Sequence, residues 1–486
     1  MSNNSEIAKK IFFEAVDLLK KNDLQNSENK FLEALKYTPG RISIISNLIQ
    51  IYILSKDQKK LENILLLNKK IKDTFEYNIG YAYLLFYQSN FTDSLRICET
   101  LNSNEYSQII QLENLKIKNH QALENFEKVI ELYNKIILTY KDDFINYFHF
   151  GNFFIRVNEL EKAIECFNKA LILSPKNPKI LWHISFCELK LGNYTKGYSL
   201  YEHKPQEKKY LKFQSIPKIK SESELYKSKV LIWGDQGYGD MIQFSRFAKY
   251  ASESNKNLTL ALPKIFKDLF KNLSNDLKII DFDEVNKNEY QLQIALSNLP
   301  NFLPFKKFNE VPYYPLEIND EKNIDIDIPQ DKLNIGLCWS GRSYFNYETH
   351  RNIPLSKFSN ILNSKKFMFF KLQKDLRDKD VELLKLSNNI VDLGNKSFSE
   401  LPKYMKKFDL IVSSDTSIVH LASILNLKTI LLLNYNSDWR WFLDKHKSIW
   451  YPSLKIMKQE KFDNWNNVLS SLEKELLKIY SLKFNN

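Results

Sequence analysis

One stretch, Phe408 to Asn434, limits what this chain can fold into more than any other. It reads F-D-L-I-V-S-S-D-T-S-I-V-H-L-A-S-I-L-N-L-K-T-I-L-L-L-N. An apolar run ends in Ser413-Ser414-Asp415-Thr416-Ser417. Apolar residues at helical spacing come next (Ile418, Leu421, Ala422, Leu425), and Thr429 to Leu433 forms a second run. That order predicts strand, turn, helix, strand: a βαβ unit, and with it a parallel sheet. The turn sets hydroxyls and one carboxylate against a helix N-terminus, where unpaired N–H groups and the positive dipole end favour phosphate. Ligands of open parallel sheets sit at the carboxyl ends of the strands. The Asp415 to Ser417 turn is therefore expected to hold the diphosphate of a nucleotide-sugar.

The first two hundred residues carry a different signature. Phe31, Ala34 and Pro39 recur as Phe167, Ala170 and Pro175, each pair 136 residues apart. That distance is four periods of 34, the period of tetratricopeptide repeats. The fit is best over Phe144 to Asn177, where Tyr147, Gly151, Phe154, Ala163, Phe167, Ala170 and Pro175 take repeat positions 4, 8, 11, 20, 24, 27 and 32. Small residues let antiparallel helices approach, aromatics fill between pairs, and proline ends the second helix. Six units are expected, starting near 8, 42, 76, 110, 144 and 178, the middle ones degenerate. The concave face of such a solenoid binds extended peptides or partner proteins, or the array serves as a spacer or dimerisation arm. The segment G192-N-Y-T-K-G-Y-S-L-Y-E-H-K204 reads as a cap that docks the solenoid onto the second half of the chain.

The second half alternates strands and helices. Lys229 to Gly234 is a buried-strand run followed by Asp235-Gln236-Gly237-Tyr238-Gly239-Asp240 and a helical segment, Met241 to Ala251. Three of the eleven glycines fall in this short stretch, so the backbone there turns tightly or approaches something closely. The spacing is not the dinucleotide fingerprint. Asp240 reads either as an N-cap or as a general base at a strand's carboxyl end. Further strands are expected at 257–262, 277–282, 290–295, 333–339, 367–372 and 390–393. A capped amphipathic helix is expected over 463–480. The expected domains are 1–204 solenoid, 205–228 linker, 229–318 first α/β domain, 319–332 Pro-bounded linker, 333–460 second α/β domain and 461–486 C-terminal helix. Two open α/β domains in succession leave a cleft for a ligand gripped by both.

Composition narrows the partners. The net charge is +12, but only eight of the 70 basic residues are Arg. Lys, Asn and Ile are abundant throughout, so a solvated Lys-rich surface is favoured over nucleic-acid binding, with a general attraction for anions. Arg246, Arg351 and Arg440 stand out because Arg is scarce. Four cysteines without C-x-x-C spacing lie in apolar stretches and read as buried free thiols rather than disulfides or a metal site. No apolar run reaches the roughly 18 residues of a membrane span, and the first residues lack signal-peptide order. The expected location is the cytoplasm.

The run W233-G-D-Q-G-Y-G-D-M-I-Q-F-S-R-F247 resembles the opening motif of bacterial tetratricopeptide-repeat glycosyltransferases related to the lipopolysaccharide heptosyltransferases. G336-L-C-W-S-G341, H-R-N-I-P-L ending at Leu355, L-Q-K at 372–374, D-T-S-I-V-H-L-A at 415–422, D-W-R-W at 438–441 and W-Y-P at 450–452 continue the likeness in the same order, over about 195–475. The repeat-plus-catalytic layout is also similar to that of protein O-GlcNAc transferases. The resemblance implies a GT-B fold and inverting, metal-independent sugar transfer without a cofactor, from a nucleotide-sugar held mainly by the second α/β domain. Asp240 matches the proposed catalytic base. The implied nucleotide-sugar contacts are Gly237, Gly239, Gln243, Arg351, Gln373, Lys374, Asp415, Thr416, Ser417, His420 and Arg440. Ser417 stands where heptosyltransferases usually carry glycine, and their acceptor-side elements are not recognisable here.

The residues also admit plainer readings. His420 reads as a core or capping histidine or as a ligand contact, with no second ligand at i+3 or i+4 to make it a metal site. Trp439 and Trp441 read as core or as stacking platforms, and Asp415 as an N-cap. Three functions are open: a glycosyltransferase acting on a protein or glycan acceptor reached through the repeats, a non-catalytic adaptor with a vestigial α/β part, or a nucleotide-sugar isomerase.

Overall fold

The computed structural model describes residues 3–205, 207–318, 324, 326–341, 351–443 and 446–484. The chain divides into two compact units, Met1–Tyr147 and Phe148–Asn486. The first consists of helical hairpins: α1 (Asn3–Lys20) with α2 (Leu24–Tyr37), α3 (Ile42–Ser55) with α4 (Gln58–Leu67), α5 (Phe75–Tyr87) with α6 (Phe91–Thr100), and α7 (Tyr106–Ala122) with α8 (Phe126–Thr139). α9 (Phe144–Arg156) begins at the boundary and pairs with α10 (Leu160–Leu173), and α11 (Pro178–Leu191) pairs with α12 (Tyr194–Tyr201).

A backbone feature repeats with the period expected from the sequence. At the six hairpin tips Asn22, Lys56, Ser89, Glu124, Asn158 and Gly192 all take positive φ, at steps of 34, 33, 35, 34 and 34 residues. The left-handed residue reverses the chain, and an Asp, Asn or Glu comes directly after it. Asp23, Asp57 and Asn90 each accept the N–H three residues on, capping the second helix. Gly151 shows why small residues recur in the first helix: a Cβ there would lie 2.5 Å from the Phe167 ring.

In the second unit the segment after the last hairpin is built into the first α/β domain. Pro217 and Ile219 exchange backbone hydrogen bonds with Gln293 (2.9 and 3.1 Å), and α13 (Glu222–Lys227) comes next. Then come β1 (Val230–Trp233), α14 (Tyr238–Ser254), β2 (Leu258–Leu262), β3 (Lys278–Asp281) and β4 (Leu292–Ala295). The strands are all parallel, in the order β3-β2-β1-β4. Of the expected 319–332 linker, residues 319–323 and 325 lie outside the described residues.

The second sheet is also parallel. It is made of β5 (Leu333–Cys338), β6 (Phe367–Lys371), β7 (Ile390–Asp392), β8 (Leu410–Ser414), β9 (Thr429–Leu433) and β10 (Leu454–Lys458), ordered β10-β9-β8-β5-β6-β7. Its helices are α15 (Ser359–Leu362), α16 (Asp378–Leu386), α17 (Leu401–Met405), α18 (Ser417–Ile424) and α19 (Asn466–Phe484). α19 closes one face with Val468, Leu472 and Leu476, and Trp465 just before it joins the same core. The other face shares a core with the first sheet, and Leu189, Tyr194, Tyr198 and Tyr201 of the last hairpin belong to that same core. All four cysteines are buried free thiols, and no described helix is long and apolar enough to cross a membrane.

Candidate functional site

Strand order selects where a ligand can sit. In the first sheet β2 and β3 lie to one side of β1 and β4 to the other, and in the second β6 and β7 lie to one side of β5 and β8 to the other. Helices leaving neighbouring strands in opposite directions open a crevice at such a switch point. The Asp235–Asp240 loop comes after β1, Ser340-Gly341 after β5, and Asp415–Ser417 after β8. Residues of all three line one cavity of about 1060 Å³, together with Arg351, Asn434, Asn436, Ser437, Asp438 and Arg440.

Two helix N-termini meet there, those of α14 and α18. Gly239, in the first turn of α14, makes the approach possible. A Cβ at this position would lie 2.6 Å from His420 Cδ2 and 3.4 Å from Ser417 Cα. Two positive dipole ends are thereby directed at one space from opposite domains.

The charges are arranged around Arg440. Its guanidinium pairs with Asp240 across the two domains and with Asp438 at 2.5 Å, and its side chain is only 7% exposed. Against the cost of burial, Asp240 and Asp438 keep Arg440 charged. Asp240 Oδ2 also accepts the Gly237 N–H at 3.1 Å, so the N-cap-type contact and the ion pair coexist. Burial raises the Asp240 pKa, Arg440 pulls it back, and Asp438 lifts it again. Asp415 is pushed up to about 6, first by burial and then by Asp438, with Arg351 opposing. Arg351 Nη1 donates to the Asp415 carbonyl at 3.3 Å.

The other candidates separate into two groups. Gly237, Gly239, Asp240, Arg351, Asp415, Thr416, Ser417, His420 and Arg440 all line the cavity. Thr416 caps α18, its Oγ1 accepting from Ile418 N at 3.3 Å. His420 Nδ1 lies 3.0 Å from the Tyr451 hydroxyl, and its ring stacks on Trp441 at 5.3 Å. Burial holds its pKa well below the usual value, so it is a neutral cavity wall.

Gln243, Gln373 and Lys374 are not among the cavity-lining residues. Gln243 points into the α14 core and is 1% exposed. Gln373 Oε1 accepts from Trp339 N (3.2 Å) and Ser340 N (2.8 Å), which fixes the turn after β5 from behind. Lys374 is exposed. Trp439 and Trp441 are core residues, each 1% exposed. Arg246 is a buried bolt whose Nη1 donates to the Trp450 carbonyl at 2.8 Å. His350 of the H-R-N-I-P-L motif lies outside the described residues.

Sequence reasoning missed Asp235, Asp438 and the Asn434–Ser437 loop, and it missed two lysines of the last repeat that hold these loops. Lys190 was detectable. It falls three residues after buried Cys187 on the apolar face of α11, where a lysine is out of place. Among the described residues no three His, Cys, Asp or Glu side chains gather as a metal site.

The chain matches no protein-family model and no curated protein sequence. Solved structures resemble it in part. It is 11% identical to E. coli ADP-heptose lipopolysaccharide heptosyltransferase II, over 53% of this chain and 99% of that one, with a TM-score of 0.36. It is 12% identical to the iron-containing dodecameric glycosyltransferase TibC of enterotoxigenic E. coli, over 54% and 78%, with a TM-score of 0.36. To PilW, a type IV pilus biogenesis factor, it is 17% identical over 41% and 91%, with a TM-score of 0.35.

The protein joins helical hairpins with a period of about 34 residues to two α/β domains, each built on a parallel sheet.

Proposed function

We propose that the protein is an inverting glycosyltransferase. It takes a sugar from a nucleotide-diphosphate donor to a hydroxyl of a protein or glycan acceptor, recruited in part by the repeats. One observation carries this reading: helix N-termini from two domains, each at a switch point, converge on one cavity with a carboxylate on one side and Arg351 on the other.

In the proposed reaction the acceptor oxygen forms a bond to the anomeric carbon as the bond from that carbon to the diphosphate breaks. The diphosphate leaves with the electron pair, and Asp240 takes the hydroxyl proton. Arg440 keeps Asp240 ionised, as a base must be, while burial makes it proton-avid. Arg351 and the N–H groups of α18 stabilise the departing diphosphate. These groups supply the positive charge the leaving group needs, so we propose that transfer requires no metal.

The test is a thermal-shift panel of ADP-, GDP-, UDP- and CMP-sugars, because a ligand bound only to the folded state raises the melting temperature. At least one donor is expected to do so. A protein that none of them stabilises is an adaptor, and conversion of a donor without acceptor would mark an isomerase.

A further inference from the structure

The last helical hairpin reaches both walls of the cavity. From α11, Lys190 Nζ donates to Asn436 Oδ1 (3.1 Å) and to the Ser437 carbonyl (2.7 Å), both in the loop that lines the second-domain wall. Its third proton goes to Asn158 Oδ1 at 2.8 Å, and Asn158 Nδ2 donates to the Tyr435 carbonyl at 3.1 Å. All three acceptors are uncharged oxygens, and Lys190 is 1% exposed. From the turn after α12, Lys204 Nζ meets Asp235 Oδ2 at 2.5 Å, and Ser297 N and Oγ fix the same carboxylate at 3.1 and 2.6 Å. Gln236 Nε2 donates to the Tyr201 hydroxyl at 2.8 Å.

We propose that this hairpin is a bracket for the nucleotide-sugar site and that Lys190 and Lys204 are its positioning residues, one for each cavity loop. The proposal rests on the cavity being a donor site. The physical case is the expense of Lys190. A fully buried ammonium with no carboxylate in contact is a poor structural filler, since a leucine there would pack without desolvating a charge. Burial, and next Lys458, bring its pKa down to about 7, with Asp438 and Cys187 opposing. What Lys190 does provide is three directed donors. Two of them hold the backbone and side chain immediately before Asp438, the residue that aligns Arg440 on Asp240. Lys204 does the same for the loop that leads to Asp240.

The roles predict different losses. Lys190→Met frees the second-domain loop and weakens donor nucleotide binding by about tenfold, the loss expected for an undone buried network. Lys204→Met disturbs the Asp240 loop and lowers turnover more than affinity. Asn158→Gly removes one acceptor while keeping a residue that tolerates the left-handed turn, and it serves if Lys190→Met folds poorly.

Hydrogen exchange on the full chain reads the bracket without any ligand. In Lys190→Met and Asn158→Gly, amides of 434–441 should exchange about tenfold faster, with β9 unchanged. Lys190→Arg should restore part of the protection. Unchanged exchange in both variants overturns the bracket, whatever the parent binds. Faster exchange in these variants, with a parent that binds no nucleotide-sugar, supports the bracket and overturns the reading of the site.

Discussion

Asp240 and Arg440 form an ion pair between domains at the cavity wall, the carboxylate from the first turn of α14 and the guanidinium from the turn between β9 and β10. A base paired in this way is ionised and oriented, but it is available to an acceptor only from the side that Arg440 leaves open. Asp240→Asn keeps the shape and removes the proton acceptor. It should lower turnover by about 10²–10⁴ and leave donor affinity within a few-fold. Initial rates and calorimetry on the same preparation check this, and full turnover would remove Asp240 from the chemistry.

Arg440, itself only 7% exposed, neutralises two carboxylates. Arg440→Met should destabilise the second unit by roughly 1–2 kcal/mol, because the two carboxylates, 23% and 36% exposed, recover only part of their hydration when left unpaired. Adding Asp240→Asn should recover part of the loss. Scanning calorimetry of the two single variants and the double variant gives the coupling.

Asp415 supplies a pH signature. Its folded pKa, about 6, is above the unfolded value near ~3.9. The folded state therefore binds more protons in between, and its contribution to stability is full below about pH 4 and lost as pH rises through about 6. Asp415→Asn should flatten that part of the stability curve. A diphosphate entering beside Asp415 should also draw in a proton, so donor affinity should rise as pH falls from 7 to 6. Calorimetry in two buffers of different ionisation heat measures the uptake, and an uptake unchanged in Asp415→Asn would exclude this residue as its source.

Gly239→Ala tests the meeting of the two helix ends. The added methyl falls on His420 and the Ser417 backbone, and overpacking of this kind costs about 1–3 kcal/mol. Parting the helix ends should weaken donor binding by about tenfold, with far-ultraviolet dichroism unchanged. A variant that binds like the parent would show that the close approach is only packing.

Arg351→Ala should weaken donor binding by about 10- to 100-fold, as expected for lost charge-assisted bonds. Unaltered affinity would place Arg351 outside the site. Transfer should survive prolonged dialysis against EDTA, and a loss restored by a divalent cation would contradict the metal-free reading.

Local signals in the sequence located much of the scaffold. Hairpins expected near 8, 42, 76, 110, 144 and 178 begin at 3, 42, 75, 106, 144 and 178, because small and aromatic residues at repeat positions are set by contacts inside one repeat. The strand Leu454–Lys458 was not read, since two lysines interrupt its apolar residues where an edge strand meets solvent. The Asp415 turn stood out because strand, cap and helix adjoin in the chain. The two bracket lysines did not, because their partners lie far along the sequence, as with Lys190 and Ser437, 247 residues apart. Gln373 shows the converse: a motif residue that supports the cavity turn from behind.

The left-handed hairpin tips have a mechanical implication. Five of the six are not glycine, so each carries a local cost, set against a hydrogen bond from the next residue back to the first helix, as from Asp23 N to the Leu18 carbonyl at 2.9 Å. Pulled from its N-terminal end with an optical trap, the molecule should pay out in steps of one hairpin, each release loosening the next. The extension should then stall at the Gly192 hairpin, whose tyrosines are embedded in the α/β core.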